Sequence, residues 1–295
     1  MKFLAYLATT GLVAGLSHSA SARQPLALEP SSPWILDYDA DSCTLRRTFG
    51  EGPQQAQLEM RRFQPGLDLQ VTVATKARTT KRPFRYRFDP ADKWEDEEMP
   101  LHVFFDGGQE GVIFKSRLVE VPFARDGTPE DWADYYQTVD YRSLESDAAA
   151  KVESLTVSRA FRDDVILRTG SLKAPMNALN ECIDELLNHW QINVEAHKSL
   201  TRLAFPVNVL EVSRRLKYPP MMLREGLPGL VNLRFAVDEV GQITACHIQM
   251  PLSDPEFERV SCRDIQRHLK FSPALDKDGN PIPSYWVTSV RFHIG

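Results

Sequence analysis

The sequence predicts an α+β protein in which an antiparallel β-rich domain with a packed helix precedes a smaller β-β-α-β domain. Short segments of alternating apolar and polar residues recur between residues 34 and 170, a pattern typical of antiparallel strands. A helix with an apolar stripe follows, and residues 215–295 then combine two strands, a helix and a final strand. The predicted boundaries are 1–22 for a signal peptide, 23–205 for the β-rich domain and 206–295 for the C-terminal domain.

The overall composition is that of an ordinary globular protein, with 295 residues, 42% of them apolar, and a net charge of −5. This balance argues against nucleic-acid binding, because phosphate contacts require clustered Lys and Arg. The sequence contains no phosphate-binding loop, zinc-protease motif or nucleophile elbow. We therefore expect no enzymatic activity, cofactor or metal, although the members of a Ser/His/Asp triad need only meet in space.

The N-terminal segment has the pattern of a secretory signal. Lys2 precedes an apolar run from Phe3 to Leu16, and Ala20-Ser21-Ala22 provides a small-x-small cleavage site. This pattern predicts export to the periplasm with cleavage after Ala22. The alternative is an uncleaved membrane anchor, but the apolar run is shorter than the ~20 residues that span a bilayer.

Export makes the even number of cysteines informative, because disulfides form in oxidising compartments. The 4 cysteines allow three pairings. The pairing that respects the predicted domain boundary joins Cys43 to Cys182 and Cys246 to Cys262. The alternative is a set of buried free thiols that pack as small apolar groups. Metal binding is less expected, since no Cys-x-x-Cys spacing occurs.

Strands of the β-rich domain are predicted from alternation. The run from Trp34 to Gly50 alternates strand-like pieces with acidic turn residues, and residues 55–63 and 67–75 continue with a period of two. Within residues 67–75 the apolar side chains share one face and the polar ones share the other. Further strands are predicted at Arg85–Phe88, Leu101–Phe105, Gly111–Lys115, Arg117–Pro122, Ser154–Phe161 and Val165–Thr169.

Two helices are predicted within this domain. Thr128, Pro129 and Glu130 form a helix start that continues to Tyr136. Pro175 precedes a longer helix whose Cys182 lies on an apolar stripe, positioned to tie the helix to the Cys43 strand. The stripe consists of Met176, Leu179, Cys182, Ile183, Leu186 and Leu187.

Acidic clusters in the sequence are interpreted as surface features. Asp37, Asp39 and Asp41 are spaced like the start of a calcium loop, yet Ser42 and Thr48 occupy the positions that require Gly and Glu. We therefore expect these aspartates to be solvated residues at the end of a strand. The acidic run at residues 92–98 is interpreted as a solvated loop, and residues 276–279 as a turn.

The C-terminal domain has the clearest pattern in the chain. Tyr218, Pro219 and Pro220 begin it, residues 221–225 form one helical turn, and residues 238–241 connect two strands. The residues predicted to share one face of each element are Val231, Leu233, Phe235 and Val237 in the first strand, and Thr244, Cys246, Ile248 and Met250 in the second. In the helix and the last strand they are Phe257, Cys262, Ile265 and Leu269, then Trp286, Thr288, Val290, Phe292 and Ile294.

These residues resemble the C-terminal domain of the TonB family, over about residues 215–295. The features that carry the resemblance are Tyr218-Pro219, Gly226, Gly229, Val231, Phe235, Val237, Asp238, Gly241, Phe271 and Pro273-Ala274. The resemblance implies a three-stranded sheet with helices on one face. It also implies binding of a short extended peptide of an outer-membrane receptor by strand addition, because an edge strand has unpaired backbone groups.

The resemblance implies that the final strand, Tyr285 to Ile294, is the edge that binds the partner. The implied partner-binding residues are Tyr285, Val287, Ser289, Arg291 and His293. The expected partner is an extended segment of an outer-membrane receptor or another envelope protein. Alternatively, the edge is covered by the protein's own N-terminal domain or by a second copy in a homodimer.

The chain departs from an energy-transducing TonB, which keeps a membrane anchor and a long Pro-rich spacer. Here the apolar start is cleavable in pattern, and a folded β-rich domain without a family assignment replaces the spacer. We therefore predict a secreted, periplasmic binding or adaptor protein linked to TonB-dependent transmembrane transport. The alternatives are a membrane-anchored energy transducer and an exported hydrolase with its site in the N-terminal domain.

Overall fold

The computed structural model describes residues 24–121, 128–250 and 254–294. The predicted signal peptide and its cleavage site after Ala22 lie outside these ranges. Five sheets and several helices confirm the α+β class. None of the helices in the described ranges is long and apolar enough to cross a membrane. Below, residues 24–200 are called the N-terminal part and residues 201–294 the C-terminal part.

Two sheets form the N-terminal part. The larger contains, in spatial order, β2 (Ile35–Tyr38), β3 (Cys43–Phe49), β4 (Ala56–Arg62), β5 (Leu69–Thr75), β9 (Gln109–Ser116) and β8 (Leu101–Phe105). A 3₁₀ turn at Gly52–Gln54 connects β3 to β4. The smaller contains β1 (Leu26–Leu28), β11 (Val165–Leu167), β10 (Ser154–Ser158), β6 (Phe84–Asp89) and β7 (Glu95–Glu97). All of these pairs are antiparallel except β1 with β11, which is parallel.

The predicted strand at Arg117–Pro122 is wrong, because its described residues, 117–121, form no strand. The ladder of β9 ends at Ser116, whose partner Leu69 is the first residue of β5. Beyond that point no backbone of β5 remains to pair. Arg117 instead forms an ion pair with Asp68.

The described residues of the N-terminal part also form four helices: α1 (Pro129–Thr138), α2 (Tyr141–Lys151), α3 (Lys173–His189) and α4 (Val194–Lys198). The predicted start of α1 is confirmed, since Thr128 and Asp131 form a capping box. The predicted apolar stripe of α3 is also confirmed, because all six residues are buried. It packs into one core with side chains from both sheets, including Leu58, Phe114 and Val157.

A buried ion pair joins the larger sheet to two of these helices. Arg62 of β4 donates to Glu145 of α2 at 2.5 Å and to Asn180 of α3 at 2.5 Å. Both ionised side chains are 0% exposed. Because a buried charge without its partner costs several kcal/mol, this cluster fixes α2 and α3 in one position on the sheet.

Disulfide bonds join Cys43 to Cys182 and Cys246 to Cys262, which is the pairing that the sequence predicts. The first bond holds α3 against β3. The second holds the helix at Pro255–His268 against the strand at Ile243–Met250.

In the described residues of the C-terminal part, three helices pack with a small sheet in one core. Its elements are β12 (Phe205–Pro206), α5 (Val209–Arg215), α6 (Pro220–Glu225), β13 (Gly229–Val237), β14 (Ile243–Met250), α7 (Pro255–His268), β15 (Phe271–Ser272), β16 (Ala274–Leu275), β17 (Pro281–Ile282) and β18 (Ser284–Phe292). The main sheet has the order β14-β13-β18 and is antiparallel, which gives the predicted β-β-α-β arrangement. Its core contains Leu233 and Phe235 of β13 with Phe257 and Ile265 of α7.

The predicted facing of Met250 is wrong. A register shift between Asn232 and Leu233 interrupts the pairing of β13 with β14. Met250 is therefore opposite Asn232, and its Sδ accepts from Gln70 Nε2 of the N-terminal part at 3.6 Å. An extra residue at a bulge reverses the facing of the residues beyond it, which strict alternation does not anticipate.

Candidate functional site

The last strand, β18, forms one edge of the C-terminal sheet. It pairs with β13 along its full length, from Ser284 opposite Val237 to Phe292 opposite Gly229. Within the described ranges no strand pairs with its other side. Unpaired backbone N–H and C=O groups along such an edge can form a ladder with another extended chain.

Side chains on one face of β18 hold the strand in the C-terminal core. The Trp286 ring stacks at 6.1 Å from Phe235 and meets Phe271 edge-on at 5.4 Å. Phe292, at the other end of the strand, lies 4.7 Å from the ring of Phe257. Anchoring at both ends keeps the backbone of the edge extended.

The opposite face of β18 carries the predicted site residues and faces the N-terminal part. Tyr285 lies 5.5 Å from the ring of Trp190 and 5.8 Å from that of His197. Ser289 donates to Asn232 within the C-terminal sheet at 2.6 Å. Arg291 donates to the backbone oxygen of Met99 and lies 3.5 Å from Glu97. Val287 lines a cleft, and His293 is exposed beyond the end of the strand.

The structure thus brings together Tyr285 and Val287 at the cleft, while Arg291 contacts the N-terminal part further along the strand. A partner-binding role for all five predicted residues stays a prediction. What the strand offers directly is its backbone edge, since the Tyr285 and Arg291 side chains already have contacts within the chain.

The contact between the two parts is centred on Arg234 of β13. Its guanidinium donates twice to Asp41 Oδ1, at 3.0 and 2.8 Å, and lies 4.1 Å above the ring of Trp190. Gln249 donates to the backbone oxygens of Asp41 and Phe63 at 3.1 and 3.0 Å. The expectation that Asp41 is solvated is therefore wrong, because its side chain is only 16% exposed in this contact.

Two further contacts extend this interface. Asn232 donates to Gln70 of β5 at 3.1 Å, with both side chains buried. Leu230 of β13 packs with Leu101 and Ile113 of the larger N-terminal sheet. The signal for this interface in the sequence is the pair of polar residues, Asn232 and Arg234, on a strand that is otherwise apolar. Their partners could not be named from the sequence, because they lie far away along the chain.

A cleft of about 850 Å³ lies between the two parts. The first four residues of β18, Ser284 to Val287, line one side. Helices α1 and α2 line another side, and α4 and residues 203–205 also contribute to the lining. The unpaired edge of β18 therefore begins inside a cavity large enough to hold a ligand.

Three aromatic side chains form the helical wall of the cleft. Trp132 and Tyr136 stack at 5.8 Å, and Tyr136 meets Tyr141 edge-on at 4.9 Å. The first two are four residues apart in α1, a spacing that puts both side chains on one face of a helix. The guanidinium of Arg117 lies 5.2 Å from the centroid of the Trp132 ring, and this cation–π contact helps to hold that ring in place. Below, Trp132, Tyr136 and Tyr141 are called the aromatic wall.

Residues 214–294 match the model of the Gram-negative bacterial TonB protein C-terminal family. The match covers α6, β13, β14, α7 and β18, so the predicted resemblance of this region is confirmed. No curated protein matches the chain. TonB C-terminal domains belong to the Gram-negative envelope and interact with envelope proteins such as outer-membrane receptors.

Most charged groups in the cleft are already paired. Arg142 donates to both oxygens of Asp184, at 2.8 and 2.5 Å, and these hydrogen bonds raise the pKa of Arg142. Arg117 pairs with Asp68. Lys198 lies 3.1 Å from Glu195. The edge of the TonB C-terminal domain is thus bordered by balanced ion pairs, which favours recognition of an uncharged group.

Two tyrosine hydroxyls in the cleft are held in the protonated form. Burial raises the pKa of Tyr136, and the nearby carboxylate of Asp68 raises it further. Burial also raises the pKa of Tyr285, with smaller contributions from Tyr141 and Tyr136. Both hydroxyls are therefore hydrogen-bond donors, one on α1 and the other at the start of β18.

A hydrogen-bonded pair, His197 and Ser284, fixes the start of β18. His197 Nδ1 lies 3.0 Å from the backbone oxygen of Asn193, which can only accept. Nδ1 therefore carries the proton, and Nε2 accepts from the Ser284 hydroxyl at 2.9 Å. Burial lowers the pKa of His197, which favours this neutral form. The geometry resembles a nucleophilic pair, but Ser284 is 5% exposed, so its role here is to attach the edge strand to α4.

Proposed function

We propose that this protein is a periplasmic, non-enzymatic adaptor that binds an extended segment of an outer-membrane receptor or another envelope protein. The observation that carries the proposal is the unpaired side of β18, which begins inside the cleft. A segment added beside this strand would satisfy the backbone groups of both chains. In this proposal the domain at residues 206–295 supplies the edge, and the domain at residues 23–205 forms the opposite wall.

Export is part of the proposal and rests on the pattern of residues 1–22. We expect the mature protein to begin at Arg23, which intact-mass measurement of protein purified from a periplasmic fraction would show. A mature protein that begins at Met1 and sediments with membranes would instead support a membrane-anchored energy transducer.

Site-specific photo-cross-linking tests the binding mode. A photoreactive phenylalanine analogue is placed at Val287, which lines the cleft. We expect ultraviolet irradiation in an envelope extract to attach an envelope protein at this position, because an added strand would run directly beside it.

The control places the same analogue at Val240, a hairpin residue that is 73% exposed. Cross-linking at Val287 alone supports strand addition. The proposal fails if neither position yields a product, or if both yield the same products, since the second outcome indicates non-specific capture.

A hydrolase is the second candidate function, favoured only by the His197–Ser284 pair. A fluorophosphonate probe labels an activated serine. We expect no labelling of the full-length protein, because the Ser284 hydroxyl is enclosed. Labelling that disappears in Ser284→Ala would contradict the non-enzymatic proposal.

A further inference from the structure

We propose that the aromatic wall makes this cleft selective for an extended segment with aromatic or large aliphatic side chains at alternate positions. The inference rests on the proposed function, since it requires a segment paired with β18. It adds that the N-terminal part, and not the TonB C-terminal domain alone, determines which segments bind.

The alternation follows from strand geometry. Side chains of an extended chain point alternately to the two faces of the sheet. Tyr285 and Val287 share the face of β18 that is directed towards the N-terminal part. A segment paired with residues 284–287 would lie about 4.8 Å beyond this strand. Every second side chain of that segment would then extend into the cleft, towards the aromatic wall.

The chemistry of the wall determines which side chains fit there. Aromatic rings gain from apolar and aromatic contacts, with pairs of rings preferring tilted or offset packing. Trp132, Tyr136 and Tyr141 present such rings to the cleft. A large apolar side chain of the segment would exclude water from these surfaces, whereas an alanine would leave space between the segment and the wall.

Charged side chains fit this space poorly. The carboxylates of Asp68 and Asp184 are already paired with Arg117 and Arg142. A lysine or glutamate of the segment would lose water without gaining an unpaired counter-ion from these groups, and such burial is unfavourable.

Polar contacts of the site are suited to a peptide backbone. Tyr136 and Tyr285 both line the cleft, and each carries a hydroxyl that can donate a hydrogen bond. Both are protonated donors, so they can donate to carbonyl oxygens of an added segment. The combination of apolar rings, a backbone edge and tyrosine hydroxyl donors in one cleft is what points to a peptide.

The test uses the full-length protein and labelled peptides of the form Thr-Xaa-Thr-Xaa-Thr-Xaa, with Xaa as Phe, Val, Ala, Lys or Glu. Fluorescence anisotropy gives the dissociation constant of each. We expect the Phe and Val peptides to bind about tenfold more tightly than the Ala peptide, the range typical for a buried apolar contact. The Lys and Glu peptides should bind more weakly than the Ala peptide.

Variants of the wall locate the origin of this preference. Tyr136→Ala should bring the Phe and Ala peptides to within about threefold of each other, because it removes one ring of the wall. Tyr136→Phe keeps the ring and should retain the preference, while weakening all peptides by a similar factor. Tyr38→Ala is the matched control, since Tyr38 is 59% exposed and lies outside the cleft. Thermal melting confirms that each variant is folded.

Three results would overturn the inference: equal affinity for all peptides, a preference that survives Trp132→Ala combined with Tyr136→Ala, or no binding of any peptide. If one of these results is obtained and Val287 still cross-links to an envelope protein, the proposed function stands without the selectivity. Loss of that cross-link would reject both proposals.

Discussion

At the scale of single residues, the attachment of the edge strand depends on a neutral histidine. Folding lowers the pKa of His197 from its ordinary value near 6.5. At a pH between the folded and unfolded pKa values, the unfolded chain therefore binds a proton that the folded chain does not. The stability contributed by this difference is present above the unfolded pKa and decreases as the pH falls towards the lower folded pKa.

We expect His197→Gln to remove this pH dependence. The free energy of unfolding of the wild-type protein should decrease more between pH 7 and pH 5 than that of the variant, as measured by urea titration. His189→Gln is the control, because His189 is exposed at the end of α3. Parallel pH profiles for the wild type and His197→Gln would contradict the neutral hydrogen-bonded form.

Residue-level predictions from the sequence succeed where a local period determines the facing. The stripe of α3 and both disulfide pairs follow from helical and strand periodicity with the predicted domain boundary. They fail where the partner is remote, since Arg234 lies 193 residues from Asp41. Met250 fails for another reason, because the bulge in β14 leaves no mark in its apolar pattern.

At the scale of elements, the C-terminal sheet is held to α7 by the disulfide between Cys246 and Cys262. The two cysteines are 16 residues apart. Closing a loop of this length restricts the unfolded chain and contributes about 3 kcal/mol in the chain-entropy model.

We expect Cys246→Ser with Cys262→Ser to lower the free energy of unfolding by about 3 kcal/mol. Urea titration followed by tryptophan fluorescence measures it. The control is Val240→Ser in the adjacent exposed hairpin, for which a change within about 0.5 kcal/mol is expected. A double variant as stable as the wild type would show that the bond does not restrict the unfolded chain as supposed.

The elements that the sequence predicts correctly are those with an uninterrupted pattern, such as β5, β13 and α7. The sequence does not predict helix α2, because its residues, YRSLESDAAAK, form no apolar stripe. It is held by the ion pair of Glu145 with Arg62, a long-range contact that no local pattern shows. The edge of β18 follows from the resemblance to the TonB family, whereas the aromatic wall opposite it requires the tertiary structure.

At the scale of the whole molecule, the two parts are joined by the ion pair of Arg234 with Asp41, by neighbouring polar contacts and by the apolar packing of Leu230. Removing Asp41 would leave the guanidinium, whose side chain is 8% exposed, without its counter-ion. Breaking a buried ion pair in this way costs about 3 kcal/mol.

We therefore expect Asp41→Ala to lower the melting temperature and to separate unfolding into two calorimetric transitions, because the smaller C-terminal part would lose its support first. Asp39→Ala is the matched control, since Asp39 is 62% exposed and touches Arg61 at 3.3 Å. Equal shifts for both variants would show that the interface contributes little to cohesion.

Because both parts line the cleft, a ligand bound there as proposed would couple its binding to their association. A ligand that contacts both walls would bind more tightly while the Arg234 interface is formed, so it would stabilise the association of the two parts. At a ligand concentration of one hundred times the dissociation constant, such linkage adds about 2.7 kcal/mol to the closed state. By reciprocity, a substitution that destabilises the interface would also lower the affinity for such a ligand, even if the substituted residue lies far from the edge strand.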